Sequence, residues 1–183
     1  MNWTPIFDSL KQRGVLFASG LTDSEIAAIQ QQFGFQFPPD LREFLQYSLP
    51  ISNSFLNWRS DKPEDILKRI NWPTEGICFD ITNNIFWLKQ WGSRPEKLDE
   101  ALDIARRQVR KAPKLIPIFS HRYIPETPCI AGNPVFSVHQ SDIIHYGYDL
   151  PSYLANEFKI TNPTNPPDAP RPIEFWDLIV NLD

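Results

Sequence analysis

The sequence is poor in the residues that catalytic and metal sites use. Its 183 residues include two cysteines, three histidines, one methionine and seven glycines. Two cysteines, Cys78 and Cys129, are too few for a disulfide framework or a zinc site. The sequence contains no Gly-rich phosphate loop, no G-x-S-x-G motif and no H-E-x-x-H motif. We therefore expect no catalytic residue, no bound metal and no cofactor, and a reducing compartment such as the cytoplasm.

Long apolar runs and strong positive charge are also absent. No stretch approaches the roughly 20 apolar residues that a membrane-spanning helix needs, and the opening MNWTPIFDSLKQRG lacks the layout of a signal peptide. The net charge is −4, whereas non-specific nucleic-acid binding needs clustered positive charge. The basic cluster at 106–111 ends a predicted helix whose acids come first, an order that the helix dipole favours. We predict no membrane and no nucleic-acid partner.

Proline is abundant, with eighteen residues, which indicates many stiff connections. The hydrophobic share of 42% and the charged share of 22% are typical of a globular protein with a real core. We predict one domain over 1–183, with its core at 21–158 and an N-terminal helix at 3–13. A proline-rich linker and a last helix are expected at 162–182.

The stretch from Leu21 to Leu49 predicts two helices joined by a proline corner. Thr22 and Glu25 have the spacing of a capping box, Gly34 suits a left-handed helix end, and Pro38-Pro39 suits a helix start. The expected buried residues are Ile26, Ile29 and Phe33 on the first helix and Leu41, Phe44 and Leu45 on the second.

The segments before and after this pair have weaker signals. Thr4 is the expected cap of the N-terminal helix, and a third helix is predicted over Pro63–Asn71. The following GICFDITNNIFWL fits either a hairpin turning at Asn83-Asn84 or a loop from Ile85 to Trp91 that lays tryptophans on the core. PEKLDEALDIARRQVRKAP predicts a further helix.

The second half of the chain predicts a sheet. LIPIFS has strand length and HRYIPETPCIAGNP is expected to be a proline-rich connection. Two strands are predicted at Val135–Val138 and Ile143–Tyr146, then a helix at Leu150–Phe158 and a last helix whose buried side includes Phe175, Ile179 and Leu182. Helices first and strands later predict an α+β domain with a mostly antiparallel sheet flanked by helices.

The residues of the helix pair also carry a family resemblance. Leu21-Thr22, Glu25, Gly34, Phe37-Pro38 and the helix residues from Leu41 to Leu45 follow one another as in the opening of the SUKH superfamily. This superfamily includes a fungal regulator of cell-wall synthesis and many bacterial immunity proteins. LIPIF resembles its central strand and VFSVHQSDIIHYG its closing strand pair, whereas its usual Asn-Gly and Gly-Asp pairs are absent. The resemblance implies a SUKH-like binding domain rather than an enzyme.

One segment combines several side chains suited to binding. His121, Arg122, Tyr123 and Glu126 lie in the predicted connection after LIPIFS, which we expect to be a loop whose tip reaches solvent. Arginine and tyrosine are enriched at binding hot spots. Alternatively, Arg122 pairs with Glu126 or Asp142 and Tyr123 closes the core. Five of the six tryptophans have apolar neighbours and are expected in the core or at its rim; an exposed cluster would mark an interaction patch.

Two further candidates lie in the closing strand pair. His139 and Asp142 flank the predicted turn, and His145 follows on the second strand. A metal site needs three or four converging ligands, and an aspartate at such a position is commonly a turn former. We predict His139 and Asp142 as binding residues and predict no metal site.

Two classes of function remain. The first is a non-catalytic cytoplasmic protein-binding domain, by resemblance an immunity protein that binds and neutralises a bacterial toxin; the charge of −4 suits a basic toxin domain. The second is a small-ligand or metal-binding protein, or an enzyme, with His121, Arg122, His139 and Asp142 in a pocket at the sheet edge. A shared cleft with perturbed pKa values would favour the second class. We predict the first.

Overall fold

The computed structural model describes residues 2–162 and 164–182; Pro163 of the predicted linker lies outside them. The helices are α1 (Thr4–Gln12), α2 (Asp23–Phe33), α3 (Pro39–Tyr47), α4 (Pro63–Asn83), α5 (Leu98–Val109), α6 (Leu150–Phe158) and α7 (Trp176–Val180). The strands are β1 (Phe17–Ser19), β2 (Ser48–Pro50), β3 (Leu115–Phe119), β4 (Arg122–Pro125), β5 (Val135–His139) and β6 (Asp142–Gly147). A 3-10 turn covers Lys89–Trp91. None of the described helices is long and apolar enough to cross a membrane.

The main sheet is an antiparallel meander in the order β3-β4-β5-β6, and β1 and β2 form a small antiparallel pair. Because successive side chains of a strand point to opposite faces, the sheet contributes to two hydrophobic clusters. One face packs with helices α1, α2, α3 and α6 through Ile116, Ile118, Ile124 and Val135. The other packs with α4, α5 and α7 through Leu115, Tyr123, Phe136, Val138 and Ile143. The predicted α+β class with an antiparallel sheet is confirmed.

Helices α2 and α3 form as predicted. Thr22 Oγ1 accepts the Glu25 N–H at 3.2 Å, and the Glu25 carboxylate accepts the Thr22 N–H at 2.8 Å, which completes the capping box. Arg59 binds the same carboxylate at 2.6 Å, and its hydrogen bond together with that of Thr22 lowers the pKa of Glu25 to about 2. Gly34 ends α2 with a φ of 66°. The predicted apolar residues of both helices are buried.

The prediction of a helix ending at Asn71 and followed by a hairpin is wrong. Helix α4 runs through to Asn83, with Pro73 inside it. Ile77, Cys78 and Ile81 recur at helical spacing and are buried, although their β-branched and apolar neighbours also suit a strand. The alternative of a loop that lays tryptophans on the core is correct, since Trp87 and Trp91 pack partly buried on the second cluster.

Three smaller predictions also need correction. Arg122–Pro125 is strand β4 rather than part of a connection, because its side chains are buried on both faces of the sheet. Thr4 is the first residue of α1 and not its cap; its hydroxyl is 2.9 Å from the Tyr47 hydroxyl. Leu182 is half exposed, and Trp176 occupies the buried side of α7 instead.

Helix α4 lies directly on the turn between β5 and β6. A Cβ added at Gly76 would lie 2.7 Å from the Gln140 Cα, so only glycine allows this approach. One turn further along, Asp80 accepts the Ser141 N–H at 2.8 Å and the Ser141 hydroxyl at 2.5 Å. Burial raises the pKa of Asp80, but the hydrogen bonds from Ser141 and Asn84 outweigh it and the pKa is lowered.

We expect Gly76→Ala to destabilise the protein. In an exposed helix interior, glycine to alanine stabilises by about 1 kcal/mol; here overpacking against the Gln140 backbone should cost about 1–3 kcal/mol. Urea unfolding measures the change, with the exposed neighbour Glu75→Ala as control. A Gly76→Ala protein more stable than the unmodified chain would contradict the packing of α4 on the turn.

Candidate functional site

The contact between α4 and β4 begins with a proline. Pro73 has no N–H, so the Arg69 carbonyl, four residues earlier, loses its donor within the helix. The Tyr123 hydroxyl donates to this carbonyl at 2.9 Å. Tyr123 is 1% exposed, and burial raises its pKa to about 12. The sheet thus supplies the hydrogen bond that the proline removes from α4.

Arg69 also holds the other hairpin turn. Its guanidinium donates to the Ser120 carbonyl at 2.5 Å, in the two-residue turn between β3 and β4. Ser120 and Gln140 have φ values of 47° and 59°, the left-handed conformation of tight hairpin turns. Both turns at this end of the sheet are therefore fixed to α4, one through Arg69 and the other through Asp80.

A cleft of about 290 Å³ lies between α4 and these turns. We call it the Trp72 cleft; its lining residues are Ser54, Arg69, Trp72, Ser120, His121, Tyr123 and His139. Trp72 is 46% exposed, so of the two expected positions, core or rim, it does not occupy the core. A second cleft of about 300 Å³ shares Arg69 and Trp72 and adds the side chains of Asp61, Asp65 and Lys68. Arg69 and Trp72 line both clefts, and we call the two clefts together the groove.

The structure brings together three of the six predicted binding residues. His121, Tyr123 and His139 line the Trp72 cleft. Glu126 lies elsewhere and accepts the backbone N–H groups of Gln36 at 3.2 Å and of Lys114 at 3.4 Å. Asp142 is exposed and pairs with His139 in the β5–β6 register. Binding by these residues stays a prediction.

Arg122 is buried on the face of β4 opposite Tyr123. Its side chain donates to Glu157 of α6 at 2.8 Å and to Ser137 at 2.7 Å, and it lies 3.8 Å from the centre of the Tyr146 ring. The expectation that this segment forms a loop tip in solvent is therefore wrong. Its ion-pair partner is Glu157, and neither Glu126 nor Asp142. A pocket that joins Arg122 and Asp142 to the two histidines does not form.

The histidines of the closing strand pair lie apart. His145 Nε2 is 3.2 Å from the Asp177 carboxylate on α7, whereas His139 lines the Trp72 cleft. Among the described residues, no group of three or more histidine, cysteine, aspartate or glutamate side chains is placed to hold a metal ion.

His121 has the clearest electrostatic perturbation in the cleft. Its Nδ1 is 3.1 Å from the Ser120 hydroxyl. Burial, and next the nearby Arg122 guanidinium, disfavour the charged imidazolium and lower the pKa of His121 below 6.5, against a smaller opposite effect of Glu157. The folded chain therefore favours neutral His121.

Trp72 and Arg69 are the cleft residues that sequence reasoning missed. Both lie on α4. Arg69 is in the last turn of the predicted helix, and Trp72 follows its predicted end at Asn71. A continuous helix through Pro73 would have placed Trp72, Glu75 and Phe79 on one side at spacings of three and four residues. Because Trp72 and Phe79 are both about half exposed, this side of α4 faces solvent.

We expect stability to depend on pH through His121. Since the pKa of His121 is lower in the folded than in the unfolded chain, its contribution is complete above pH 6.5 and decreases as the pH falls through the lowered pKa. Urea unfolding from neutral to mildly acidic pH measures this slope. We expect a shallower slope in His121→Asn, with His139→Asn as control; equal slopes in His121→Asn and the unmodified chain would contradict the assignment.

Comparison with known proteins assigns the family. The sequence profile of the SMI1 / KNR4 family (SUKH-1) matches residues 20–121, more than half of the chain. Comparisons with curated proteins and with solved structures gave no significant match. The matched residues run from the start of the α2–α3 pair, through α4 and α5, to the β3–β4 turn that lines the Trp72 cleft. The α+β fold is also the one that the resemblance to the SUKH superfamily implied. The chain therefore belongs to the SMI1 / KNR4 family (SUKH-1).

Proposed function

We propose that the chain is a non-catalytic protein-binding domain, and that it is an immunity protein whose Trp72 cleft binds and blocks a toxin. The observation that carries this proposal is a half-exposed tryptophan in a cleft whose hairpin turns are both hydrogen-bonded to α4. Tryptophan, arginine and tyrosine dominate binding hot spots, because they combine large contact area with directed hydrogen bonds. Trp72 and Arg69 present such side chains to this one cleft, and the buried Tyr123 supports them from the sheet.

The rigidity of the surface supports the proposal. Arg69 holds the β3–β4 turn, and Asp80 holds the β5–β6 turn. Gly76 lets α4 touch the second turn, so the elements around Trp72 are fixed before a partner arrives. A preorganised surface loses little conformational entropy on association, which leaves more of the contact energy as affinity.

The net charge of the chain suits a basic partner. In the groove itself, Asp61 and Asp65 are accompanied by Lys68 and Arg69. The chain as a whole carries a net charge of −4. Complementary charge steers association and raises its rate. A basic toxin domain is therefore the partner that we propose, in keeping with the immunity proteins of the superfamily.

The remaining parts of the proposal concern the whole chain. We propose that 1–183 acts as one domain, since the main sheet contributes side chains to both hydrophobic clusters. We also propose a cytoplasmic setting, in which Cys78 and Cys129 persist as the free thiols that the structure contains.

We expect Trp72→Ala to weaken partner binding by about 2 kcal/mol or more, the cost typical of a hot-spot residue. The purified chain serves as bait in a native extract, and the captured protein is then expressed and titrated by calorimetry. Tyr148→Ala is the matched control, because Tyr148 is also exposed but follows β6 at the opposite end of the sheet.

Co-expression then tests toxin neutralisation. The captured partner should arrest growth when expressed alone, and the unmodified chain should restore growth whereas Trp72→Ala should not. Equal affinities of Trp72→Ala and Tyr148→Ala would remove the cleft from the interface. A partner that is harmless on its own would contradict the immunity function while leaving protein binding intact.

A further inference from the structure

The turn that follows α4 places an isoleucine in an unfavourable backbone conformation. Ile85 has a φ of 60°, which lies in the left-handed region, where a β-branched side chain is an outlier. Its side chain is 81% exposed, more than any other large apolar side chain that the structure describes. Because so exposed a side chain gains little from the hydrophobic effect, burial within the described chain does not offset the backbone strain.

The left-handed residue lets the chain turn back at the end of α4. The N–H groups of Asn84 and Phe86 both donate to the Asp80 carbonyl, at 2.8 Å and 3.2 Å, and Ile85 lies between them. A left-handed residue that ends a helix is most often glycine and sometimes asparagine, because these residues adopt the conformation at little cost. The turn therefore needs a left-handed residue at this position but does not need isoleucine.

Strain of this kind points to a function for the side chain. Strained residues persist where the surrounding structure holds them, and they concentrate at active sites, ligand clamps and switch regions. Ile81 and Leu88 are fully buried and anchor the chain before and after Ile85. An exposed isoleucine held in this way is available to contact another molecule through its side chain.

A second exposed apolar side chain lies near the end of α4. Phe79 is 49% exposed, and it lies seven residues after Trp72, on the same side of the helix and about 10 Å further along it. The turn between β5 and β6 touches α4 between them, at Gly76. Ile85 follows two residues after Asn83, the last residue of α4. Exposed apolar side chains thus occur from the Trp72 cleft to the end of the helix.

The Trp72 cleft forms only part of the surface that a protein partner needs. A specific interface buries about 800 Å² on each side, a patch about 28 Å across, so the partner covers surface beyond the cleft. Toward the start of α4 lie the charged side chains of Asp61, Asp65 and Lys68, whereas Phe79 lies toward its end. Interface centres are enriched in aromatic side chains and depleted of charged ones. The apolar direction along α4 is therefore the one in which the interface extends.

We propose that the protein partner in the Trp72 cleft also binds Phe79 and Ile85, and that the Ile85 side chain enters an apolar pocket of this partner. The inference rests on the proposed protein-binding function and adds to it the chemistry of the partner. The partner carries an apolar pocket about 16 Å from the site that receives Trp72, measured along α4. Burial in this pocket supplies the apolar contact that Ile85 lacks in the free chain.

Two variants at one position separate the side chain from the strain. Asparagine adopts the left-handed conformation more readily than isoleucine, so Ile85→Asn should raise the urea midpoint of unfolding at unchanged slope. The same variant should weaken binding of the captured and purified partner about tenfold in calorimetric titration, and Phe79→Ala should weaken it as well. Ile85→Leu keeps a large apolar side chain and should bind the partner nearly as tightly as the unmodified chain.

Leu16→Asn is the matched control, because Leu16 is 64% exposed but adjoins β1, and we expect it to leave partner affinity unchanged. Unchanged affinity in Ile85→Asn or Phe79→Ala, together with weaker binding by Trp72→Ala, would overturn this inference and leave the proposed function standing. A lower urea midpoint in Ile85→Asn would also overturn it, since the strain would then be absent. Unchanged affinity in Trp72→Ala, or no captured protein, would remove the proposed function and this inference together.

Discussion

The hydrogen bond from the Tyr123 hydroxyl to the Arg69 carbonyl is the contact on which the rest of this structure depends. Pro73 leaves that carbonyl without a donor inside α4, and an unsatisfied buried carbonyl costs about 1–3 kcal/mol. Helix α4 therefore passes through its proline at little cost only where it lies on β4. Once placed there, the same helix reaches both hairpin turns and carries Trp72 on its exposed side.

Two features of the surface follow from this placement. Ahead of Pro73, Arg69 and Trp72 form one side of the groove in which we place the protein partner. Beyond Asn83, the chain leaves α4 through the buried Leu88, and Trp87 and Trp91 pack on the second hydrophobic cluster. One long helix thus forms one side of the groove and, past its end, leads into the tryptophans that cover the second hydrophobic cluster.

The sequence predicts those features whose causes are local. The Thr22–Glu25 capping box and the strands β3, β5 and β6 depend on residues close together in the chain, and each forms as expected. The sequence predicts too short an α4 because the Tyr123 hydroxyl, which compensates for Pro73, lies 54 residues from the Arg69 carbonyl that it binds. It does not predict β4 because the Arg122 charge is paired with Glu157, 35 residues away. The residue types of His121, Tyr123 and His139 are enough to name them as candidates. Arg69 and Trp72 join the cleft only because α4 continues through Pro73, which the local sequence does not predict.

Hydrogen exchange on Tyr123→Phe tests most directly whether this one bond places α4. The substitution removes the hydroxyl and keeps the ring, so the Arg69 carbonyl loses its donor while the core stays filled. We predict faster exchange of the backbone amides of α4 and of both hairpin turns, with unchanged exchange in α2, which lies on the other side of the sheet. Unchanged exchange throughout α4 would show that the helix is held across Pro73 by other contacts and would contradict the account.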